Sequence, residues 1–213
     1  MDRAIRGCGV TASVDDWHAR ARKRRAHQPL AAGAQVRRRY PRRSFARASC
    51  LGAPRRMSSR PTRVLFVCLG NICRSPAAEG VFLDLLAKED LSHAFEVDSA
   101  GTGSWHVGQR ADSRMRAAAQ RRGIELHSRA RQIQPEDLES FDWIITMDDS
   151  NLQNVRALDP TGVSHERIVP LTGHCSRHST GEVPDPYYGG DQGFEQVLDL
   201  LEDACEGLLM RLR

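Results

Sequence analysis

The stretch Val64-Leu65-Phe66-Val67-Cys68-Leu69-Gly70-Asn71-Ile72-Cys73-Arg74-Ser75-Pro76 constrains this chain more than any other. Its apolar run reads as a strand buried on both faces. The run breaks at a thiol into a short loop that ends in Arg-Ser. Pro76 then opens a helical pattern through Ala78, Val81, Phe82, Leu85 and Leu86. Ser75 is expected to cap that helix, with Pro76 at its first position. Gly70 and Asn71 fall where the backbone must bend, and both residue types tolerate positive φ. Strand, loop and helix together place a sulfur, a guanidinium and a helix N-terminus around one small concavity. Unpaired N–H groups and the helix dipole suit it to a tetrahedral dianion.

The rest of the body alternates in the same way. Residues 95–99 read as a strand that runs into the loop Ala100-Gly101-Thr102-Gly103. Residues 111–122 read as a helix stopped by Gly123. Residues 135–140 form a short helical turn, 143–147 a buried strand, and 149–158 a helix. A fourth short strand is expected at 168–171 and a loop at 172–191. An amphipathic helix closes the chain at 194–212, with Phe194, Val197, Leu198, Leu201, Cys205 and Leu208 on one side. Strands alternating with helices imply βαβ units. The expected fold is α/β: residues 61–213 as a single three-layer α/β/α domain with a four-stranded parallel sheet. In such sheets ligands bind beyond the carboxyl ends of the strands, where Cys68 falls.

Charge divides the chain. Residues 1–60 hold 16 of the 31 Lys and Arg but only three of the 27 Asp and Glu, so this arm is basic and the body is acidic. The arm has no apolar period and too few apolar side chains to offset chain entropy, so it is expected to be disordered. It lacks an apolar secretory core, and its Arg, Ala and Ser content fits an organellar transit peptide. A solvated tail, sequence upstream of a start at Met57, and a nucleic-acid-binding arm are the alternatives. The last is disfavoured because the arm lacks interleaved aromatics. The expected location is therefore cytoplasmic, or plastid or mitochondrial after removal of the arm. No run of about 18 apolar residues is present, so no membrane span is expected.

The six cysteines show neither a disulfide framework nor zinc-ligand spacing. A thiol followed six positions later by Arg recurs at Cys50–Arg56 and Cys205–Arg211, but only Cys68–Arg74 lies between a strand and a helix. There the helix N-terminus and Arg74 both favour a thiolate, the nucleophilic form of cysteine. Arg74 can grip two phosphate oxygens at once. The Ser75 hydroxyl can donate to the sulfur. The Gly-Lys-Ser/Thr of a Walker loop is absent. Cys73 lies in the same tight loop, and a reversible Cys68–Cys73 disulfide would shield an oxidised nucleophile.

Cys68-Leu69-Gly70-Asn71-Ile72-Cys73-Arg74-Ser75-Pro76 resembles the signature of the low-molecular-weight protein tyrosine phosphatases. Asp185-Pro186-Tyr187-Tyr188-Gly189 resembles their general-acid loop. Asp98-Ser99-Ala100-Gly101-Thr102, Arg131-Gln132-Ile133 and Met147-Asp148-Asp149-Ser150-Asn151 follow in the family order, and the likeness covers residues 62–212. It implies Cys68 as nucleophile, Arg74 as phosphate clamp and Asp185 as proton donor. It also implies that Asn71 and Ser75 hold the loop and thiolate, with Ser99 in their network. Some members carry a His in that network. Here Ser128 stands at that position beside His127, so either the register shifts by one or the network is completed differently. A surface role is expected for His127.

Asp185 has a bottom-up case as well. Pro184 and Pro186 stiffen its loop, and a phenolate leaving group with a pKa of about 10 needs a proton at neutral pH. The alternative is an ordinary Asp-Pro turn. Trp105, Tyr187 and Tyr188 are candidates for sandwiching a substrate ring. Leu69, Gly70, Ile72 and Cys73 complete the anion loop, and Leu69 and Ile72 give it apolar walls. In the related protein-arginine phosphatases a Thr stands at the Ile72 position, which favours an aryl phosphate here. The expected activity is hydrolysis of phosphotyrosine in proteins, and of small aryl phosphates, through a phosphocysteine. Phosphate or vanadate is the expected active-site anion. No metal or organic cofactor is implied, no nucleic-acid or membrane partner is expected, and the expected state is a monomer. A thiol-dependent arsenate reductase is the nearest rival, but it needs further paired cysteines, and Cys175 and Cys205 are far apart in sequence. A phosphotyrosine-binding module without turnover is the second rival.

Overall fold

The computed structural model describes residues 60–187 and 190–213. The expectations for the basic arm, Met57 and Tyr188 lie outside the described residues. The elements run β1 (Thr62–Cys68), α1 (Arg74–Lys88), β2 (Phe95–Gly101), α2 (Ser113–Arg121), α3 (Pro135–Ser140), β3 (Trp143–Thr146), α4 (Asp149–Arg156), β4 (Ile168–Pro170) and α5 (Asp191–Leu212). All strand pairings are parallel, in the order β2-β1-β3-β4. Every expected element is present, with ends displaced by a few residues. The notable shift is in β2. It continues through Ala100 and Gly101, beyond the expected strand end at Ser99, because those residues pair with Val67 and Cys68.

Two apolar clusters cover the two faces of the sheet. Val64, Phe66 and Ile145 face one way and pack with Phe82 and Leu86 of α1 and Leu198, Leu201 and Leu208 of α5. Leu65, Val67, Ala100 and Ile144 face the other way and pack with Leu138 of α3 and Val155 of α4. The alternation along β1 follows from the two-residue period of a strand, and burial on both sides explains its unbroken apolar run. None of the described helices is long and apolar enough to cross a membrane.

The strand order decides where a ligand site can form. The chain leaves central β1 for β2 on one side and later returns to β3 on the other. The crevice at this reversal opens at the carboxyl ends of the strands, where Cys68, Gly101 and the residues after Thr146 meet.

Phe82 and Leu83 are neighbours on α1 with opposite surroundings. Phe82 is fully buried, edge-on to Phe66 at 5.7 Å and Phe95 at 5.8 Å, while Leu83 is exposed. Phe82→Ala is expected to cost about 3–5 kcal/mol in urea denaturation, and Leu83→Ala less than about 0.5 kcal/mol. Equal costs would contradict the packing described.

Candidate active site

Cys68 closes β1 opposite Gly101, with its thiol almost wholly buried. The loop then turns back on itself at Asn71, whose φ is +53°. That turn brings the Asn71 N–H to 3.3 Å from Cys68 Sγ. Ser75 Oγ lies 3.0 Å from the same sulfur. The loop continues the sheet ladder, with Thr102 N–H donating to the Cys68 carbonyl at 2.9 Å and Gly103 N–H to the Leu69 carbonyl at 2.8 Å. Gly101 makes this approach feasible. A Cβ there would stand 2.8 Å from the Leu69 carbonyl oxygen and 3.1 Å from Asn71 N.

The capping expectation needs correction. Helix α1 starts at Arg74, so Ser75 and Pro76 lie inside its first turn, and no side chain caps it. The Ser75 hydroxyl instead donates to the Ala100 carbonyl at 3.1 Å and meets Cys68. The first turn of a helix carries N–H groups without intrahelical partners, and here that turn opens beside the thiol loop.

A network of polar side chains locks the loop. Asn71 Nδ2 donates to Ser75 Oγ and to Ser99 Oγ, both at 2.9 Å. Asn71 Oδ1 accepts from Arg131 N–H at 2.9 Å. Ser99 in turn donates to Glu79 Oε2 at 2.5 Å. Ser128 also hydrogen-bonds Glu79, so the network is completed by a carboxylate and two hydroxyls. Burial raises the Glu79 pKa, and the Ser99 and Ser128 hydrogen bonds work against it. His127 points outward and pairs with Glu125 at 3.1 Å, the surface role expected of it.

Arg74 is buried and divides its guanidinium. Nη1 donates to Asp148 Oδ2 at 2.6 Å and to the Val183 carbonyl at 3.2 Å, and Nη2 donates to Asp185 Oδ2 at 2.9 Å. Burial alone would lower its pKa, but Cys68, Asp185 and Asp148 outweigh burial and raise it. Asp148 caps α4, its Oδ1 accepting from Asn151 N–H at 2.7 Å. Asp185 Oδ1 accepts from Tyr187 N–H at 3.1 Å. Its loop is fastened to the end of β3 by Val183 N–H donating to the Met147 carbonyl at 2.8 Å.

Cys68, Arg74 and Asp185 line a cavity of about 250 Å³ with Leu69, Gly70, Ile72, Cys73, Trp105, His106 and Tyr187. Trp105 is 70% exposed, and its ring lies against Gly103, where any Cβ would overlap it. Cys73 is pushed up to about 12 by burial, with Asp112, Cys68 and Asp185 adding to the shift. Cys68, Cys73, Cys175 and Cys205 are free thiols.

The structure thus gathers Cys68, Arg74, Asp185, Trp105 and Tyr187 on one cavity, with Asn71, Ser75 and Ser99 behind it. Sequence reasoning gave no role to Asp148, Glu79 or His106. Asp148 had a usable signal, a carboxylate placed just past the strand that pairs with β1. Glu79 and His106 had none, because their partners are distant in sequence or in an irregular loop.

Comparison with known proteins agrees with this geometry. The profile of the family described as low molecular weight phosphotyrosine protein phosphatase matches residues 63–213. A low molecular weight protein-tyrosine-phosphatase of Streptomyces coelicolor is 42% identical over 153 residues, 71% of this chain and 93% of that protein. A crystal structure of a protein tyrosine phosphatase from Entamoeba histolytica, with Hepes in the active site, is similar with a TM-score of 0.69 at 45% identity, covering 71% of this chain and 96% of that one. The crystal structure of a drosophila arginine phosphatase is similar with a TM-score of 0.66 at 33% identity, covering 70% and 97%. The thiol loop, its guanidinium and the aspartate facing them are therefore found in a chain that belongs to the low molecular weight phosphotyrosine protein phosphatase family.

Proposed function

We propose that the protein hydrolyses phosphotyrosine in proteins through a phosphocysteine. The observation that carries this reading is the convergence of a thiol, a guanidinium and a carboxyl on one cavity with aromatic walls. The Cys68 thiolate attacks phosphorus in line with the scissile P–O bond. Arg74 and loop N–H groups hold the three equatorial oxygens, on which charge must be stabilised. Asp185 gives its proton to the departing phenolate. In the second step Asp185 takes a proton from water, water oxygen bonds phosphorus, and the S–P bond breaks. Ser75 then turns its hydroxyl proton from the Ala100 carbonyl to the returning thiolate, 3.0 Å away, and the Asn71 N–H points at the same sulfur.

Arg74 serves both steps because Asp148 holds its Nη1 side from behind. An entering phosphoryl group competes for Nη2 with Asp185. Binding of the anion thereby turns the Asp185 carboxyl toward the leaving group. The apolar walls formed by Leu69 and Ile72, with Trp105 and Tyr187 at the mouth, fit a flat ring better than a guanidinium. This favours phosphotyrosine over the substrate class of the arginine phosphatase.

Cys68→Ser is expected to abolish turnover of p-nitrophenyl phosphate, and full activity in that variant would refute the scheme. Asp185→Ala is expected to lower kcat on a phosphotyrosine peptide by about 10²- to 10⁴-fold with little change in KM. Asp148→Asn removes a charged hydrogen bond to Arg74 and is expected to lower kcat/KM about tenfold or more. Unchanged kinetics there would free Asp148 of any positioning role. Because Cys73 is pushed up to about 12, iodoacetamide at neutral pH is expected to label Cys68 and spare Cys73, read by peptide mass mapping. Mild peroxide is expected to convert Cys68 to a sulfenic acid that Cys73 captures with loss of water. A peptide map without that bridge would count against it.

A further inference from the structure

Residues 108–112 form a short ribbon beside the cavity. Asp112 N–H donates to the Ile72 carbonyl of the thiol loop at 2.7 Å. The Gln109 side chain holds the His106 ring, part of the cavity wall, with Oε1 at 2.9 Å from Nδ1. The facing segment is attached by Ala130 N–H to the Gln109 carbonyl at 2.9 Å and Gly108 N–H to the Ala130 carbonyl at 2.7 Å. In this arrangement Arg110 and Arg129 are antiparallel bridge partners.

Side chains of such partners share one face, with Cβ atoms about 4.5–5.5 Å apart, and like charges there are destabilising. Ala111 and Ala130, next to each arginine, are buried. The two-residue alternation therefore turns both arginines outward. Arg116 adds a third cation, its Nε donating to the Ala111 carbonyl at 2.9 Å. Arg129 Nη1 donates to the Gly108 carbonyl at 2.9 Å. Carbonyl oxygens orient these guanidiniums without neutralising them.

Several other arginines of the acidic body are matched by carboxylates: Arg122 with Glu195, Arg131 with Asp98 and Asp137, Arg213 with Glu89. Arg156 and Arg167 bond backbone carbonyls instead, but as single residues rather than as a bridge pair beside the cavity. Among the described residues, no ion pair joins Arg110, Arg116 or Arg129 to a carboxylate. The ribbon's own acid, Asp112, is taken by Arg114 at 2.9 Å and by the N-terminus of α2. An unmatched cationic cluster beside a phosphate-binding cavity is complementary to acidic groups carried by the substrate.

The geometry points to Arg110, Arg116 and Arg129 as a subsite for Asp or Glu side chains that flank the phosphotyrosine of a protein substrate. This rests on the phosphotyrosine reading above and adds a selection among phosphotyrosines. Small aryl phosphates do not extend to the ribbon, so their turnover is independent of it.

The test compares p-nitrophenyl phosphate with two matched phosphotyrosine peptides, one flanked by Glu and one by Gln, on the full chain. At low salt kcat/KM is expected to favour the Glu peptide about five- to tenfold, the size of two or three exposed ion pairs. High salt is expected to bring the ratio toward one. The double variant Arg110→Glu with Arg129→Glu is expected to prefer a Lys-flanked peptide, with p-nitrophenyl phosphate turnover unchanged. If charge reversal disturbs folding, Arg110→Gln with Arg129→Gln supplies the same comparison and is expected to abolish the preference. Equal kcat/KM for the Glu and Gln peptides in the unaltered protein would overturn the subsite and leave the phosphatase intact. So would a Glu preference that survives both double variants. Failure to turn over p-nitrophenyl phosphate and every peptide would overturn the phosphatase reading, and the subsite with it.

Discussion

Asn71 holds the site together. A non-glycine residue in the left-handed region costs about 1–3 kcal/mol, and here three hydrogen bonds from the Asn71 amide offset that cost. They reach Ser75 on α1, Ser99 on β2 and Arg131 in the segment before α3. One side chain thus ties the thiol loop to three separate parts of the chain. The bend it maintains lets the sulfur at the end of β1 and the first turn of α1 face one space. Gly101 complements it by leaving room for the Leu69 carbonyl where a methyl group could not fit.

Around Arg74 two carboxylates have different supports, which suits different tasks. Asp148 is largely buried and anchored twice, by Arg74 and as the N-cap of α4. Asp185 is more exposed, on a loop pinned through Val183. A positioning group benefits from rigid anchoring, whereas a proton donor must exchange partners during the reaction. Both surround a buried guanidinium that would be costly to leave unpaired.

The Ser128 position shows how a network can keep its task with altered chemistry. Ser128 and Ser99 both hydrogen-bond Glu79, and the Ser99 hydroxyl proton is committed to that carboxylate. Ser99 must then accept from Asn71 Nδ2, which fixes the sense of the Asn71 amide and leaves Oδ1 for Arg131. No imidazole is needed at this point, and His127 is accordingly free to face solvent beside Glu125.

The residues from Val64 to Pro76 were legible without a structure, because an apolar strand, a bend-tolerant Gly-Asn pair and a helix opening are local properties. The same holds for the α/β alternation, and Asp185 was legible through its flanking prolines and family likeness. Element ends were less so: β2 extends to Gly101 because pairing with Cys68 depends on a strand remote in sequence, and Ser75 leaves its capping role because the Cys68 sulfur and the Ala100 carbonyl compete for its hydroxyl. Asp148 behind Arg74, Glu79 beneath Ser99, and the outward pairing of Arg110 with Arg129 belong to the tertiary structure alone. Each depends on which distant segments meet at the carboxyl edge of the sheet. Local spacing determines what groups a segment can offer, and only the packed chain decides which of them face one another.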